Sequence, residues 1–516
     1  MTATAGHGPA MADAWAHDAR AHDGWAHDAR AAETPSTGNT DVRPTDWAYQ
    51  ALRTLVEREG CLAGYPAMGR GSVFQGSRSI SRDEAAALLK ACLERLTVVT
   101  DGVRRLSRDF AQELAGLQAR SSGLEARVGL LDAQRFSTTT RLQGEATMVL
   151  AVPAFLGSAA TEVYQNNQSY GGLSLNYDLR LMVDTSFSGR DLLRTELRGG
   201  NFDNDSSTFA GSMRPTPLSE LQVAFQQQVG ADDPNVLGLY QLYYQWPLGS
   251  GFTATVGPRV GQQAVLPLWP SAYSAEVLHL FKMNGAPFAY NLQLGGGGSL
   301  WWHQKGWSVG TFYLSPDVQF GDPATGGFGT AENESIGGVQ LGYTGDGWGV
   351  AAIYNYVMND DDIVTATPFV IQQVDDSLGY TNAFGLSGYW QPRSSGWIPS
   401  ISMGWGYNAA MFRPGTAATL ASSQSWMVGL QWADVLAPGN ALGLAVGQPV
   451  FATGVSGNQS PDDGTVAVEA WYRLRLSDAI ALTPGIFYLS RPLGSTTPAG
   501  QSLSQLAGVL KLSFRF

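Results

Sequence analysis

The stretch from Leu506 to Phe516 sets the strongest limit on what this chain can become. Its even positions other than Gly508 are apolar, while Lys511, Ser513 and Arg515 occupy odd ones. That is period two, a strand with one oily face that closes on an aromatic residue. Such a strand suits a closed barrel in lipid, where every backbone group is paired around the ring and the outward face meets hydrocarbon. A soluble sheet with one covered face is the alternative that this stretch alone leaves open.

Composition points the same way. The 516 residues include 62 Gly, 15 Trp, 19 Tyr and 21 Phe, with 15% charged, which suits many strands and turns with rings at a membrane interface. The longest oily run, Met148 to Leu156, is interrupted by Pro153 and is too short to span a bilayer as a helix. Residence in a membrane would therefore require a barrel. Residues 1–136 carry 16 Lys+Arg against 17 Asp+Glu and residues 137–516 carry 16 against 27, so the net charge of −12 belongs to the second part and a nucleic-acid partner is disfavoured. Cys61 and Cys92 would form one disulfide in an oxidising envelope compartment; two buried thiols are the alternative.

Residues 1–40 read as a disordered polar tail. It holds a ten-residue repeat, Trp15-Ala-His17-Asp18-Ala-Arg20 and Trp25-Ala-His27-Asp28-Ala-Arg30. His7, His17, His22 and His27 fit no ligand spacing, so no metal site and no cofactor are expected. An exported chain should begin with an apolar signal, and this tail contains none; an altered start or a leader outside this sequence is the expected reason.

Residues 41–96 read as helix, turn, helix. Trp47, Ala51, Leu52, Leu55 and Val56 recur at helical spacing, Gly60 ends the first helix, and Ser81 caps the second with Glu84 three residues on. This stretch resembles an S-layer homology domain, with Ser81-Arg82-Asp83-Glu84 where that family has Thr-Arg-Ala-Glu. The resemblance implies that Arg82 faces an acidic, typically pyruvylated, peptidoglycan-linked polysaccharide, and that Trp47 and the turn around Gly64 line the same pocket. A guanidinium suits a carboxylate bidentately. The loop from Pro66 to Phe74 is longer than the family's, and Arg70 there adds a charge. The family often presents three copies of the module where this chain has one, and a homotrimer would restore that number.

Residues 97–136 are expected to be a coiled-coil linker. Phe110, Leu114, Leu117, Leu124, Val128 and Leu131 alternate at spacings of four and three if Ser121 fills the missing place. From Val103 to Arg135 such a helix would be about 50 Å long at 1.5 Å per residue. A helix folded back on its own domain is the competing expectation.

Residues 137–516 turn to period two. Tyr177, Leu179, Leu181 and Val183 point one way, against Asp178, Arg180, Met182 and Asp184. Leu193, Thr195 and Leu197 oppose Arg194, Glu196 and Arg198, and near the end Val468, Ala470, Tyr472 and Leu474 oppose Glu469, Trp471, Arg473 and Arg475. Similar runs recur between them, enough for a mainly β chain with a transmembrane antiparallel barrel of about sixteen strands. Acidic clusters at Asp203 and Asp205, Asp232-Asp233, Asp360-Asp361-Asp362, Asp375-Asp376 and Asp462-Asp463 read as solvated loops or as a cation-gathering mouth.

The motifs Phe136-Ser-Thr-Thr-Thr-Arg141-Leu-Gln-Gly144-Glu145 and Leu175-Asn-Tyr-Asp178 through Phe187-Ser-Gly189-Arg-Asp191-Leu-Leu-Arg194-Thr, with the closing Phe516, resemble the cyanobacterial outer-membrane porins. These join an S-layer homology domain to a carbohydrate-selective, OprB-type barrel and are often labelled iron uptake porins. The resemblance implies a trimeric diffusion channel in outer-membrane lipid, tied to the cell wall by a periplasmic N-terminal domain. The nine inward charges of the strands quoted above then become pore-lining candidates. Passive diffusion of small polar solutes and inorganic ions is the first functional expectation, a structural tether between outer membrane and wall the second, and a secreted glycan-binding β protein the third. No motif points to an enzyme.

Overall fold

Alternation of apolar and polar residues dictates the architecture seen in the computed structural model, which describes residues 41–59, 80–93, 100–115, 139–165, 168–203, 207–226, 235–359, 365–375, 379–394, 396–457 and 461–516. The described residues divide into two compact units, one before and one after the boundary between 136 and 137.

The smaller unit holds α1 (Trp47–Glu59), α2 (Arg82–Leu93) and α3 (Asp101–Asp109), followed by a helical stretch at 111–115. The Ser81 hydroxyl accepts the Glu84 amide at 3.1 Å and caps α2. Leu52, Ala85, Leu89, Leu106 and Phe110 are buried together, with Leu114 packed against them. Phe110 and Leu114, the first two places of the expected seam, pack into this core, as the fold-back alternative has it. The rest of the seam lies outside the described residues. Cys92 is buried and disulfide-bonded, while Cys61 falls outside the described residues.

Glu113 joins the module's helices by receiving the Arg82 guanidinium, Nε to Oε1 at 2.5 Å. That hydrogen bond holds the Glu113 carboxyl below its ordinary value, against the opposing pull of burial. Because the folded value is depressed, the stabilisation is present above the unfolded value of about 4.3 and is lost as pH falls through the lower folded one. Hydrogen exchange of α3 amides is thus expected to stay slow down to that range and to accelerate below it. In Glu113→Gln the acid dependence should disappear; an unchanged pH profile would remove this role.

The larger unit is a closed ring of sixteen antiparallel strands, each bonded to its sequence neighbours and the last to the first. They are β1 (Thr140–Leu156), β2 (Ser174–Thr185), β3 (Leu192–Gly200), β4 (Gly238–Gly249), β5 (Phe252–Gly261), β6 (Leu294–Gln304), β7 (Trp307–Ser315) and β8 (Ser335–Gly345). The second half comprises β9 (Trp348–Met358), β10 (Gly379–Trp390), β11 (Ser400–Phe412), β12 (Leu420–Ala433), β13 (Ala441–Val455), β14 (Ala467–Arg475), β15 (Ile480–Leu489) and β16 (Ser504–Arg515). Closure removes every sheet edge, the only way a sheet can face lipid. Among the described residues no helix is long and apolar enough to cross a membrane.

The expected facing of the last strand is borne out. Leu506 and Leu510 are exposed outward beside Leu150 and Val152 of β1, while Lys511 is buried inward. This outward apolar belt leaves no place for the soluble, secreted reading. The terminal Phe516 exchanges backbone hydrogen bonds with Gly144, at 3.0 and 2.7 Å, and its ring fills the space that a side chain at 144 would need.

Connections alternate in length. Turns at 186–191, 250–251, 305–306, 346–347, 391–399, 434–440 and 476–479 share one rim with the start of β1 and the end of β16, and most of the longer connections stand at the other. In the first turn, Asp191 accepts the Ser188 amide and hydroxyl at 2.7 and 2.6 Å, the Ser186 hydroxyl at 2.9 Å and the Tyr244 hydroxyl at 2.7 Å. These bonds, Ser188's first, keep its carboxyl well below the usual range and give the Phe187-to-Asp191 motif a structural purpose.

Candidate functional site

Inside the barrel, the inward charges of β2 and β3 meet one another across the strand pair. Arg180 stands opposite Arg198, and Asp184 opposite Arg194. The two like charges are tolerated because Asp178 lies between them, taking Arg180 Nε at 3.0 Å and Arg198 Nε at 2.6 Å. Glu196 lies 3.8 Å from Arg180 and accepts the Gln241 amide at 3.0 Å. Arg198 is also stacked on Phe225 at 4.2 Å and Tyr240 at 5.0 Å. Nearer the turn rim, Arg194 grips Asp184 with two bonds of 2.8 and 2.7 Å.

Of the nine lining candidates, Asp178, Arg180, Glu196, Arg198 and Glu469 are at most 5% exposed. This corrects their reading as water-facing wall. Two long connections, 201–237 and 262–293, send segments into the lumen and cover them. Leu221 and Leu278 pair as a short antiparallel bridge, and the adjoining Glu220 and His279 side chains meet at 2.6 Å. One apolar cluster packs Phe209, Leu218, Phe281 and Val277 against Trp471 and Phe487; another packs Met283, Phe288 and Tyr290 against Ile353 and Phe312. Burial of this apolar surface is what draws the loops inward. Asp184, Arg194 and Arg473 keep partial exposure, and Arg475 is exposed at the rim beside Asp478.

The route of 262–293 is set by what the wall strands lack. Glycines at inward places leave seats for it: Pro267 lies on Gly310, Leu268 on Gly342, Tyr273 on Gly429, Val277 on Gly485 and Ala286 on Gly406. A Cβ at Gly404 would overlap the Asn284 carbonyl. Wall side chains bind the loop backbone between these seats. The Ser402 hydroxyl accepts the Ala272 and Tyr273 amides at 2.8 and 3.0 Å, Gln431 accepts the Ser274 amide at 2.8 Å, and Asn355 donates to the Ala289 carbonyl at 2.6 Å.

Residues 267–269 and 274–276 form a partly exposed edge of this loop. Glu276 supplies that edge with its charge, held by Lys511 Nζ at 2.6 Å and Arg473 Nη1 at 3.2 Å. Sequence reasoning missed Glu276, Tyr273, Glu220 and His279, because a loop carries no facing. The detectable signal was elsewhere, in strands of period two whose inward places are glycine.

Acidic loop residues also divide. Asp462 is exposed beside Arg491, whereas Asp463 is buried, accepting from the Thr367 hydroxyl and, at 3.0 and 2.9 Å, the Ala452 and Ser495 amides. Asp463 therefore departs from the solvated-loop expectation and ties three connections together. Asp205, Asp232, Asp233, Asp360, Asp361, Asp362 and Asp376 lie outside the described residues.

In the smaller unit, Arg82 bonds Glu113 and, at 2.5 Å, the Asp109 carbonyl, with its guanidinium over the Phe110 ring. Trp47 is 38% exposed and carries Arg105 stacked on its face at 4.1 Å. Gly64 lies outside the described residues.

The family described as carbohydrate-selective porin, OprB family, matches residues 103–516. An uncharacterized protein of Nostoc sp. is 31% identical over 530 residues, covering 92% of this chain and 84% of that protein. Another, from Synechocystis sp., is 28% identical over 518 residues, covering 92% and 90%. Among solved structures, the high-pH form of Pseudomonas putida OprB aligns with a TM-score of 0.48 at 12% identity, over 76% of this chain and 96% of that one. An anion-selective porin from Comamonas acidovorans aligns with a TM-score of 0.43 at 13% identity, over 73% and 99%.

Proposed function

Because the chain belongs to the OprB family of carbohydrate-selective porins, and so forms an outer-membrane channel for solute diffusion, we propose that it passes small polar solutes and inorganic ions, sugars among them, without an energy source. One observation carries this reading: a closed ring that is apolar outside and carries inside, nearer the turn rim, the partly exposed charges Asp184, Arg194 and Arg473 and the exposed Arg515. Solutes entering this lumen exchange water for fixed polar groups, and the pairing of Asp184 with Arg194 and of Glu276 with Lys511 limits the net field they meet. Oily solutes gain nothing there.

The smaller unit supports a second activity, a tether between the barrel and a peptidoglycan-linked acidic polysaccharide, with the N-terminal unit periplasmic and the barrels assembled as homotrimers. Its support is the S-layer-like helix pair and the Trp47–Arg105 stack, which offers an aromatic face and a cation to a sugar acid. Arg82 would exchange Glu113 for the ligand's carboxylate. Removing residues 41–135 is expected to leave channel steps in planar bilayers intact and to abolish sedimentation with isolated cell wall. Retained wall binding by the truncated protein would defeat the tether.

A further inference from the structure

The charge-bearing edge of the inward loop is fixed by a carboxylate that no permeating solute reaches. Glu469, on the inward face of β14, is fully buried. One of its oxygens accepts the Tyr273 hydroxyl at 2.7 Å and the other the Leu278 amide at 2.6 Å. The Tyr273 hydroxyl in turn accepts the Trp471 indole N–H at 2.8 Å. Tyr273 and Leu278 bracket Glu276, the residue bound to Lys511 and Arg473. Three successive inward places of a single strand thus hold the loop by a carboxylate (469), an indole (471) and a guanidinium (473).

We propose that Glu469 is the positioning residue of this channel's neck: it clamps the loop on both sides of Glu276, so that the Glu276 carboxylate stays on Lys511 and Arg473 and sets the ion preference of the pore. This rests on the channel reading above. The physical case is one of matched geometry. A buried carboxylate is costly unless both oxygens are satisfied, and here each oxygen takes one donor from the same loop, five residues apart. A single side chain therefore defines where two loop points sit, and the residues between them have little freedom to swing into or out of the lumen. Ser402 and Gln431 hold the loop only before Glu276, through the amides of 272–274. On the far side, Glu469 accepts the Leu278 amide, the Gln222 amide donates to the Val277 carbonyl at 2.8 Å, and the His279 amide donates to the Glu220 carbonyl at 3.0 Å.

Single-channel recordings in a salt gradient test this on the full-length protein, comparing wild type with Glu276→Gln, Glu469→Gln, Tyr273→Phe and the double variant Glu276→Gln/Glu469→Gln. Glu276→Gln should lower the cation-to-anion permeability ratio by about threefold, the size expected of one charge at a field-focusing neck. Glu469→Gln and Tyr273→Phe should move the ratio the same way and add rapid partial closures as the loop edge fluctuates. The double variant should match Glu276→Gln in its ratio, because the clamp acts through Glu276. A merely structural role would leave the ratio unmoved, and Tyr273→Phe keeps the question open to test if Glu469→Gln fails to fold. Wild-type ratios and noise in Glu469→Gln and Tyr273→Phe, or a further shift in the double variant, would overturn the proposal. Silent membranes with wild-type protein would overturn the channel reading instead, and this inference with it.

Discussion

Replacing Gly404 by valine is expected to cost the channel its steady open level and to weaken the barrel by about 1–3 kcal/mol, the usual cost of overpacking a tight interior. A Cβ at 404 would overlap the carbonyl of Asn284 and also approach the Ser387 hydroxyl, which itself donates to that carbonyl at 2.8 Å. The obstruction is backbone, so no rotamer change relieves it, and the segment around 284 has to lift away from β11. Met283 and Ala286 sit in the cluster that fills this side of the lumen, so displacement there spreads through the whole inward loop. Gly321→Ala, which meets no atom within 4 Å, is the matching control and should stay within about 0.5 kcal/mol of wild type. Urea unfolding followed by heat-dependent gel mobility reads the stability, and bilayer recordings read the loop. Equal behaviour of the two variants would mean that the loop is not seated on that wall.

The second large effect concerns the lipid face. Leu510 lies mid-strand in β16, exposed outward and paired with Leu150 of β1 and Pro484 of β15. Leu510→Arg should destabilise the folded barrel by about 2–4 kcal/mol if that face meets hydrocarbon, whereas Leu476→Arg, in a rim turn, should cost only about 0–1 kcal/mol. Reversible unfolding from lipid vesicles measures both. Comparable costs at the two positions would argue against a bilayer around β16.

Much of the barrel is legible in the sequence, because lipid outside and paired polar groups inside force a strict period of two. The facing of Leu179 against Arg180, of Leu197 against Arg198 and of Tyr472 against Arg473 follows directly from it. Legibility fails where another principle takes over. The glycine run near the start of β6, Gly295 to Gly298, hides the alternation because it has no side chains to alternate. Burial of Arg198 and Glu469 could not be read from their strands, since it depends on two loops that are distant in sequence and drawn in by their own apolar residues. The helical spacing of Phe110 and Leu114 specified an apolar face but not its partner, which proves to be the module's own core. Glu276 was invisible for a related reason: its importance comes from Lys511 and Arg473, more than 190 positions away.

The central claim is that this chain forms an aqueous channel through a bilayer. Purified full-length protein added to one side of a planar lipid membrane should produce discrete current steps of uniform size that scale with salt concentration. Liposomes carrying it should swell in solutions of small sugars. Protein that inserts into the membrane as folded β structure and yet produces neither steps nor swelling would contradict the account.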